Sequence, residues 1–572
     1  MFYNYLYYHN NTNWNKMSDK RVYLNLFLIM LIGLLIRLMS IDKPFGLWND
    51  EYVSWYISQK PLIGEFFDAV YKNCHMPFYY FYLKCWTAIF GNQDLALRVS
   101  SVFPSILGVM TMFFVGKKLK DSHTGLVCAI LTAFSGFMIY FAQEVRFYSI
   151  LFLFSAFAIL VTLKLLEKQS YTNYLLFYIS NVLVMFTHTI GFVFVFFNFL
   201  TVFYFLKKEE KISAKQITLI VLSTAVTMLP LFPFLYKTLT ASYLSQFWSD
   251  FSLTKLFFVF ADYISPIQIN IVNTPSSLLS FLSKNGHLNY GYFIFAIIPM
   301  IIAFVSIVKA LKKLDKNLKA ISLIALGTLV VMVIASLLGK MVLITKYTTE
   351  IYPIFIALVA VGLSSISPMF LQKTLSVLLF APIVFYTVFS DYAPQKINRL
   401  EGHKAVAKLI QDANLKKGDS ILLLYYEDYR FEKYVKMEDF FVESVTKFNF
   451  QYRLMHEPPL HSTIMADGKN MFKESFSSGE CKFFDGYLHR FFFNRMKKGE
   501  KFALISLKSV AFVDEEKMTQ TLENPQKYEK IPFMFLIFSH VDNLSHKYAN
   551  AALKPVFKED VGSWEISVWE KI

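Results

Sequence analysis

The sequence predicts a polytopic α-helical membrane protein that ends in a small soluble domain. Three observations carry that expectation. The 572-residue chain is 55% hydrophobic and only 17% charged, with a mean hydropathy of +0.41, too apolar for a soluble protein of this length. Apolar runs of about 20 residues recur, the length a helix needs to cross a bilayer. From about residue 392 those runs give way to shorter strand-like ones separated by turns.

Residues 1–21 are polar, rich in Asn and Tyr, and end in Lys20-Arg21. They read as a cytoplasmic tail in which Met1 and Met17 both offer a start. The first span, about 22–41, reads as an uncleaved signal-anchor, because no small-residue cleavage site follows it. Residues 42–95 form a more polar first external loop, in which the short apolar run Phe78 to Phe90 reads as interfacial or re-entrant. Further spans are expected near 97–116, 124–141, 148–166, 173–188, 190–206, 215–236, 289–310, 319–339, 348–366 and 373–391, about eleven in all.

Positive charge sets the orientation. Lys117, Lys118 and Lys120 follow the second span. Lys207, Lys208, Lys211 and Lys215 follow the sixth, and Lys309, Lys312, Lys313, Lys316 and Lys319 the eighth. With the N-terminus inside, all three clusters are cytoplasmic, as the positive-inside rule requires. Residues 22–391 then form the membrane domain of a plasma-membrane protein, and 392–572 an extracytoplasmic α/β or α+β domain. In that domain Glu401–Ala413 reads as a helix and Lys417-Gly418-Asp419 as a turn. Strands are expected at Ser420–Tyr426, Phe502–Leu507, Ile531–Phe538 and Trp564–Trp569.

A formal charge of +15 invites a nucleic-acid reading. The lysines, however, sit in short loops between apolar runs, and neither zinc-finger spacing nor a basic stripe interleaved with aromatics occurs. Membrane topology accounts for the charge. Cys74, Cys85, Cys128 and Cys481 make neither a disulfide framework nor a metal site. No G-x-G-x-x-G or Walker A pattern is present, so no nucleotide-binding loop is expected.

The groups able to do chemistry all fall on the external side. Asp50 and Glu51 stand in Leu47-Trp48-Asn49-Asp50-Glu51-Tyr52, flanked by aromatic residues that suit a membrane interface. Carboxylates held against such a surface are suited to accept a proton. His75 precedes Met76-Pro77. The connection Gln143-Glu144-Val145-Arg146-Phe147-Tyr148 leaves at most a few residues between two spans, so its Glu and Arg must lie close to helix ends. They either tie two helices together or present a cation to an anionic group such as a lipid phosphate. His188 closes the fifth span, and Lys346-Tyr347 lead into the tenth. Acid, amide, guanidinium, imidazole and ammonium groups on one face suit a reaction at the membrane surface with a base, a phosphate clamp and lateral lipid entry.

At these residues the sequence resembles the GT-C superfamily, in particular the bacterial proteins similar to dolichyl-phosphate-mannose protein mannosyltransferases and to lipid A aminoarabinose transferase. Trp48-Asn49-Asp50-Glu51-Tyr52, His75-Met76-Pro77-Phe78-Tyr79-Tyr80, Ala96–Phe103, Gln143–Tyr148 and Phe186-Thr187-His188 carry the resemblance, in that order. It covers about 40–210 well and the tail hardly at all. It implies transfer of a sugar from a polyprenyl-phosphate donor to an acceptor on a lipid, protein or glycan, with inversion. Asp50 would be the base and Glu51 its neighbour. Arg146 and Lys346 would hold the donor phosphate, and His75, Gln143, Glu144, Tyr148, His188 and Tyr347 would complete the donor and acceptor site. Met76 stands where Pro is commoner in the family. Some relatives bind a divalent metal, and no ligand set in this sequence demands one.

An alternative is a transporter or flippase that recognises such a glycolipid without transforming it. Transporters tend to show internal repeats and helices broken at mid-membrane, whereas this chain concentrates its polar groups outside. An O-antigen ligase or polymerase would rely on a large external loop rich in Arg and His. The 237–288 loop has one His, His287, and no Arg.

Overall fold

The computed structural model describes residues 19–43, 46–240, 253–264, 283–284, 287–288, 297–312, 314–340, 342–389, 403–424, 433–436, 439–445, 496–507, 553–561 and 564–571. The expected strand at 531–538, most of the 237–288 loop, residues 1–18 and Cys481 lie outside them. The chain divides into two compact units. One covers Met1–Asp42 and Val53–Ile397, the other Lys43–Tyr52 and Asn398–Ile572.

The first unit is helical. Its helices are α1 (Asp19–Leu38), α2 (Asn49–Gln59, whose first turn belongs to the second unit), α3 (Phe67–Lys72), α4 (Phe78–Phe90), α5 (Asp94–Leu119), α6 (Ser122–Ala133) and α7 (Gly136–Ala142). They continue as α8 (Tyr148–Glu167), α9 (Tyr171–Thr187), α10 (Gly191–Lys208), α11 (Ala214–Met228), α12 (Phe232–Thr240) and α13 (Leu253–Ile264). The last are α14 (Ile298–Leu311), α15 (Lys316–Leu337), α16 (Tyr352–Leu363) and α17 (Met369–Phe389). Among the described residues six helical segments are long and apolar enough to cross a membrane: α1, α5, α8, α10, α15 and the α11–α12 segment Ala214–Thr240. The pair α6–α7, bent by 57°, makes a seventh if it is one span. The protein is therefore a multi-pass helical membrane protein.

The expected stretches at 173–188, 289–310, 348–366 and 373–391 each meet a helix outside those six. These are the 17-residue α9, Ile298–Leu311, Tyr352–Leu363 and the apolar part Met369–Phe385 of α17. Residues 289–296 lie outside the described residues, and α16 is short for a crossing. The start of α16 shows one reason. Residues Thr345–Thr348 form a 3-10 turn instead of helix. The Tyr263 hydroxyl donates to the Thr348 carbonyl at 2.6 Å, and the Thr345 hydroxyl donates to Asp262 at 2.7 Å. Hydropathy along the chain cannot register these bonds from another helix.

Buried polar bonds tie α1, α5, α6 and α7 together. Arg37, with no solvent exposure, donates from Nε to Ser105 Oγ (2.9 Å) and from its Nη atoms to the carbonyls of Gly33, Thr132 and Ala133. It thereby satisfies carbonyls at the end of α6, just before the bend. Gln143, closing α7, donates in turn to the carbonyls of Arg37 (2.9 Å) and Met39 (2.7 Å) at the end of α1. At the lysine-rich end, Asp121 caps α6, Asp315 caps α15 and a Ser213–Gln216 capping box opens α11. There Lys316 bonds Glu209 at 2.5 Å and the Leu166 carbonyl at 3.0 Å.

The second unit holds α18 (His403–Asp412) and a five-stranded sheet of β1 (Ser420–Leu424), β2 (Phe441–Val445), β3 (Lys501–Leu507), β4 (Leu553–Val561) and β5 (Trp564–Lys571). The strand order is β2-β1-β3-β5-β4. Strand β1 runs parallel to both its neighbours, while β5 is antiparallel to β3 and β4. Alternation in β5 aims Ile566 and Val568 into a core with Leu409, Ile410, Ala413, Ile421 and Ala503. The expected turn before β1 is present. Gly418 takes φ +97°, and Asp419 accepts from the backbone N–H groups of Lys416 and Lys501.

Candidate active site

The centre of the arrangement in the first unit is the ring of Phe147, in the turn between α7 and α8. Every residue from Gln143 to Tyr148 is buried, because the turn is pinned at both ends. Gln143 is bonded to the end of α1, and the Arg146 carbonyl accepts from the Ser101 hydroxyl of α5 at 3.5 Å. The Arg146 guanidinium lies 5.0 Å over the Phe147 ring, and its Nη1 donates to Ser54 Oγ of α2 at 3.4 Å. Glu144 is buried, with its carbonyl accepting from the Arg146 N–H at 2.8 Å. Tyr148 opens α8 with its ring 4.4 Å from that of Phe147.

His188, at the end of α9, stacks on Phe147 at 5.0 Å and lies 5.6 Å from Tyr347. Its Nδ1 lies 2.8 Å from Glu350 Oε1, and the Glu350 side chain has no solvent exposure. The second Glu350 oxygen, Oε2, is buried without a hydrogen-bond partner among the described residues. Lys346, half-buried, holds its ammonium 5.4 Å from the Tyr347 ring. His75 stacks on Tyr80 at 5.6 Å and meets Phe147 edge-on at 6.0 Å, its Nδ1 3.2 Å from the Cys74 carbonyl. Arg146, Tyr148, His188 and His75 thus gather around one ring, and Tyr347 links Lys346 to them.

Two members of this cluster, Phe147 and Glu350, were not singled out from the sequence. The available signal for Glu350 was a lone carboxylate directly before the apolar run Ile351-Tyr352-Pro353-Ile354, where burial is costly and implies a partner. Gln143 supplies its amide N–H groups to backbone carbonyls, so its clearest role in the structure is to set the turn. Among the described residues no group of three or more His, Cys, Asp or Glu gathers as a metal site.

Asp50 and Glu51 belong to the second unit, in the first turn of α2. Glu51 is 1% exposed and folds back so that Oε2 accepts from the Trp48 N–H at 3.1 Å, while Asp50 is half-buried.

Beside the Phe147 cluster the first unit contains an apolar cavity of ≈ 590 Å³ between α13, α14, α15 and α16. Its walls include Phe260, Ile264, Phe304, Leu326, Ile351 and Phe355, and none of its lining residues is charged. Ile351 follows Glu350 in the chain, so the segment 345–351 borders both the cavity and the His188 cluster.

The fold is GT-C-like. The apo structure of ArnT from Cupriavidus metallidurans matches with a TM-score of 0.53 at 10% identity, over 96% of this chain and 98% of that one. The structure of ArnT bound to undecaprenyl phosphate matches at 0.50 and 11% identity, over 95% and 97%. The apo oligosaccharyltransferase of Archaeoglobus fulgidus scores 0.49 at 12% identity, over 97% and 89%. Within this fold residues 74–236, which carry most of the Phe147 cluster, match the family described as dolichyl-phosphate-mannose-protein mannosyltransferase. The resemblance read from the motifs is thus met by a family model over this part of the chain. A search of curated proteins finds no match.

Proposed function

We propose that the protein transfers a sugar from a polyprenyl-phosphate donor to an acceptor hydroxyl at the extracytoplasmic face of the plasma membrane, with inversion. The observation that carries this reading is one buried cluster of guanidinium, imidazole and carboxyl groups bordering a wholly apolar cavity. The cavity suits an isoprenoid chain and the cations suit its phosphate. That ArnT has been crystallised with undecaprenyl phosphate supports a carrier of this class.

In this mechanism Asp50 takes the proton from the acceptor hydroxyl and Glu51 stands beside it as neighbour. The acceptor oxygen bonds to the anomeric carbon as the bond from that carbon to the phosphate oxygen breaks. The electron pair leaves with the polyprenyl phosphate, whose developing charge Arg146 and Lys346 stabilise. His75, Glu144, Tyr148, His188 and Tyr347 shape the pocket around the sugar and phosphate. In topology the N-terminus is cytoplasmic, the shorter helices also cross, giving about eleven spans, and the second unit is extracytoplasmic.

The test is transfer of labelled sugar from a panel of polyprenyl-phosphate sugars in proteoliposomes, comparing wild type with Asp50→Asn. Loss of the base is expected to lower kcat by about a hundredfold or more. Equal turnover by both proteins would remove Asp50 from the mechanism. Labelled lipid that changes leaflet with no transfer would favour a flippase.

A further inference from the structure

The segment carrying the acidic doublet packs with the C-terminal part of the chain, in one compact unit comprising Lys43–Tyr52 and Asn398–Ile572. The contact is specific. The Leu47 N–H donates to the Tyr434 hydroxyl at 3.0 Å, across 387 residues of sequence. One residue earlier, Gly46 takes φ +76°, and a Cβ placed there would fall 2.5 Å from Lys404 Cβ and 2.8 Å from the Tyr434 hydroxyl. Lys404 lies in the first turn of α18. A side chain at 46 is thus excluded both by its backbone angle and by lack of space.

The contact also sits close to the chemistry. The Leu47 peptide is followed at once by Trp48, whose N–H binds Glu51 and whose carbonyl accepts from the Tyr52 N–H at 2.8 Å. Fixing the backbone at Gly46–Leu47 fixes the start of this turn, and with it the direction in which Asp50 leaves the backbone.

We infer that the C-terminal unit is a positioning frame for the acidic doublet, with Tyr434 as its positioning residue and Gly46 as the fitted counterpart. Tyr434 does not touch substrate. It acts by holding the Gly46–Tyr52 turn in one conformation, so that Asp50 is aimed before the acceptor arrives. This inference rests on the reading of Asp50 as the base.

The experiment uses the full-length protein in proteoliposomes, as wild type, Tyr434→Phe, Gly46→Ala and Asp50→Asn. Hydrogen exchange by mass spectrometry reads the 46–52 segment, and transfer kinetics with the best donor read catalysis. Tyr434→Phe removes one hydroxyl and keeps the ring, so it tests the bond without threatening the fold. Exchange across 46–52 is expected to quicken about threefold to tenfold, the range for one lost hydrogen bond, with peptides from α5 and α8 unchanged. Its kcat falls by a similar factor while KM for the donor stays. Gly46→Ala produces a larger change in the same two readouts. Unchanged exchange in Tyr434→Phe overturns the proposal whatever the activity. Faster exchange with an undiminished kcat, while Asp50→Asn is inactive, overturns the positioning role. Full activity in Asp50→Asn sinks the reading of the base and the catalytic half of this inference with it, and exchange still decides whether Tyr434 holds the segment.

Discussion

Glu350 is fully enclosed, with one oxygen on His188 and the other without a hydrogen-bond partner among the described residues. A buried carboxyl group depends heavily on the partner it has, because water cannot replace it. Removing that partner by His188→Ala is expected to cost about 1–3 kcal/mol, the range for leaving a buried polar group unsatisfied. Glu350→Ala on top of it should recover part of the loss, since the stranded group is then gone. A double-mutant cycle on denaturation in detergent measures this; strictly additive losses would mean that the pair is not coupled. At this scale the sequence was partly legible. His188, Arg146, Tyr148 and His75 were picked out by residue type and motif, and they do converge. Their meeting point, Phe147, was not, because an aromatic residue among 61 Phe and 34 Tyr carries no local signal. Arg37 was missed for a related reason. Inside an apolar run it reads as a tolerated charge, and only the fold reveals four bonds to three helices.

Helices in a bilayer gain nothing from excluding water, so their contacts depend on close approach of small residues and on buried polar bonds. Both devices are present. Asn198 of α10 donates to Asn181 of α9 at 2.9 Å and accepts from Thr162 of α8 at 2.8 Å, a polar seam through three helices. At the crossing of α16 and α14, a Cβ at Gly362 would fall 1.7 Å from the Ser306 carbonyl oxygen. No rotamer relieves a clash with backbone, so Gly362→Val must part the two helices. The expected loss is about 1–3 kcal/mol or more, the usual cost of overpacking, read as a lower thermal midpoint. Because α14 and α16 both line the apolar cavity, KM for a polyprenyl-phosphate donor should rise with it. A variant with unchanged midpoint and KM would show that the crossing yields without cost. Such contacts explain why helix positions were legible from hydropathy while several lengths were not. An apolar run reports that a helix is there, whereas its ends are set by caps and by bonds such as Tyr263 to Thr348.

The count of crossings decides where the two ends of the chain lie. Six spans would leave both ends on one side, and seven or eleven would leave them on opposite sides. At 1.5 Å per residue the 12-residue α16 is about 18 Å long, well short of a hydrocarbon core of about 30 Å. Yet every residue of α16 is buried, so protein rather than lipid surrounds it. A helix walled by protein need not match the bilayer, because flanking irregular backbone is tolerated at membrane depth where protein covers it. If the short helices complete crossings, as proposed, the lysine-rich ends of α5, α10 and α14 share one side, as the charge rule demands. The expected outcome is specific to single cysteines in a cysteine-free background. A membrane-impermeant maleimide applied to intact cells should label Asn414→Cys, in the turn after α18. Glu210→Cys, in the lysine-rich connection after α10, should react only after the cells are opened. Labelling of both positions from the same side would require an even number of crossings between them. With five crossings between Asp50 and Glu210, Asp50 and the C-terminal residues would then lie on opposite sides, which their shared compact unit forbids, and the proposed topology would fall.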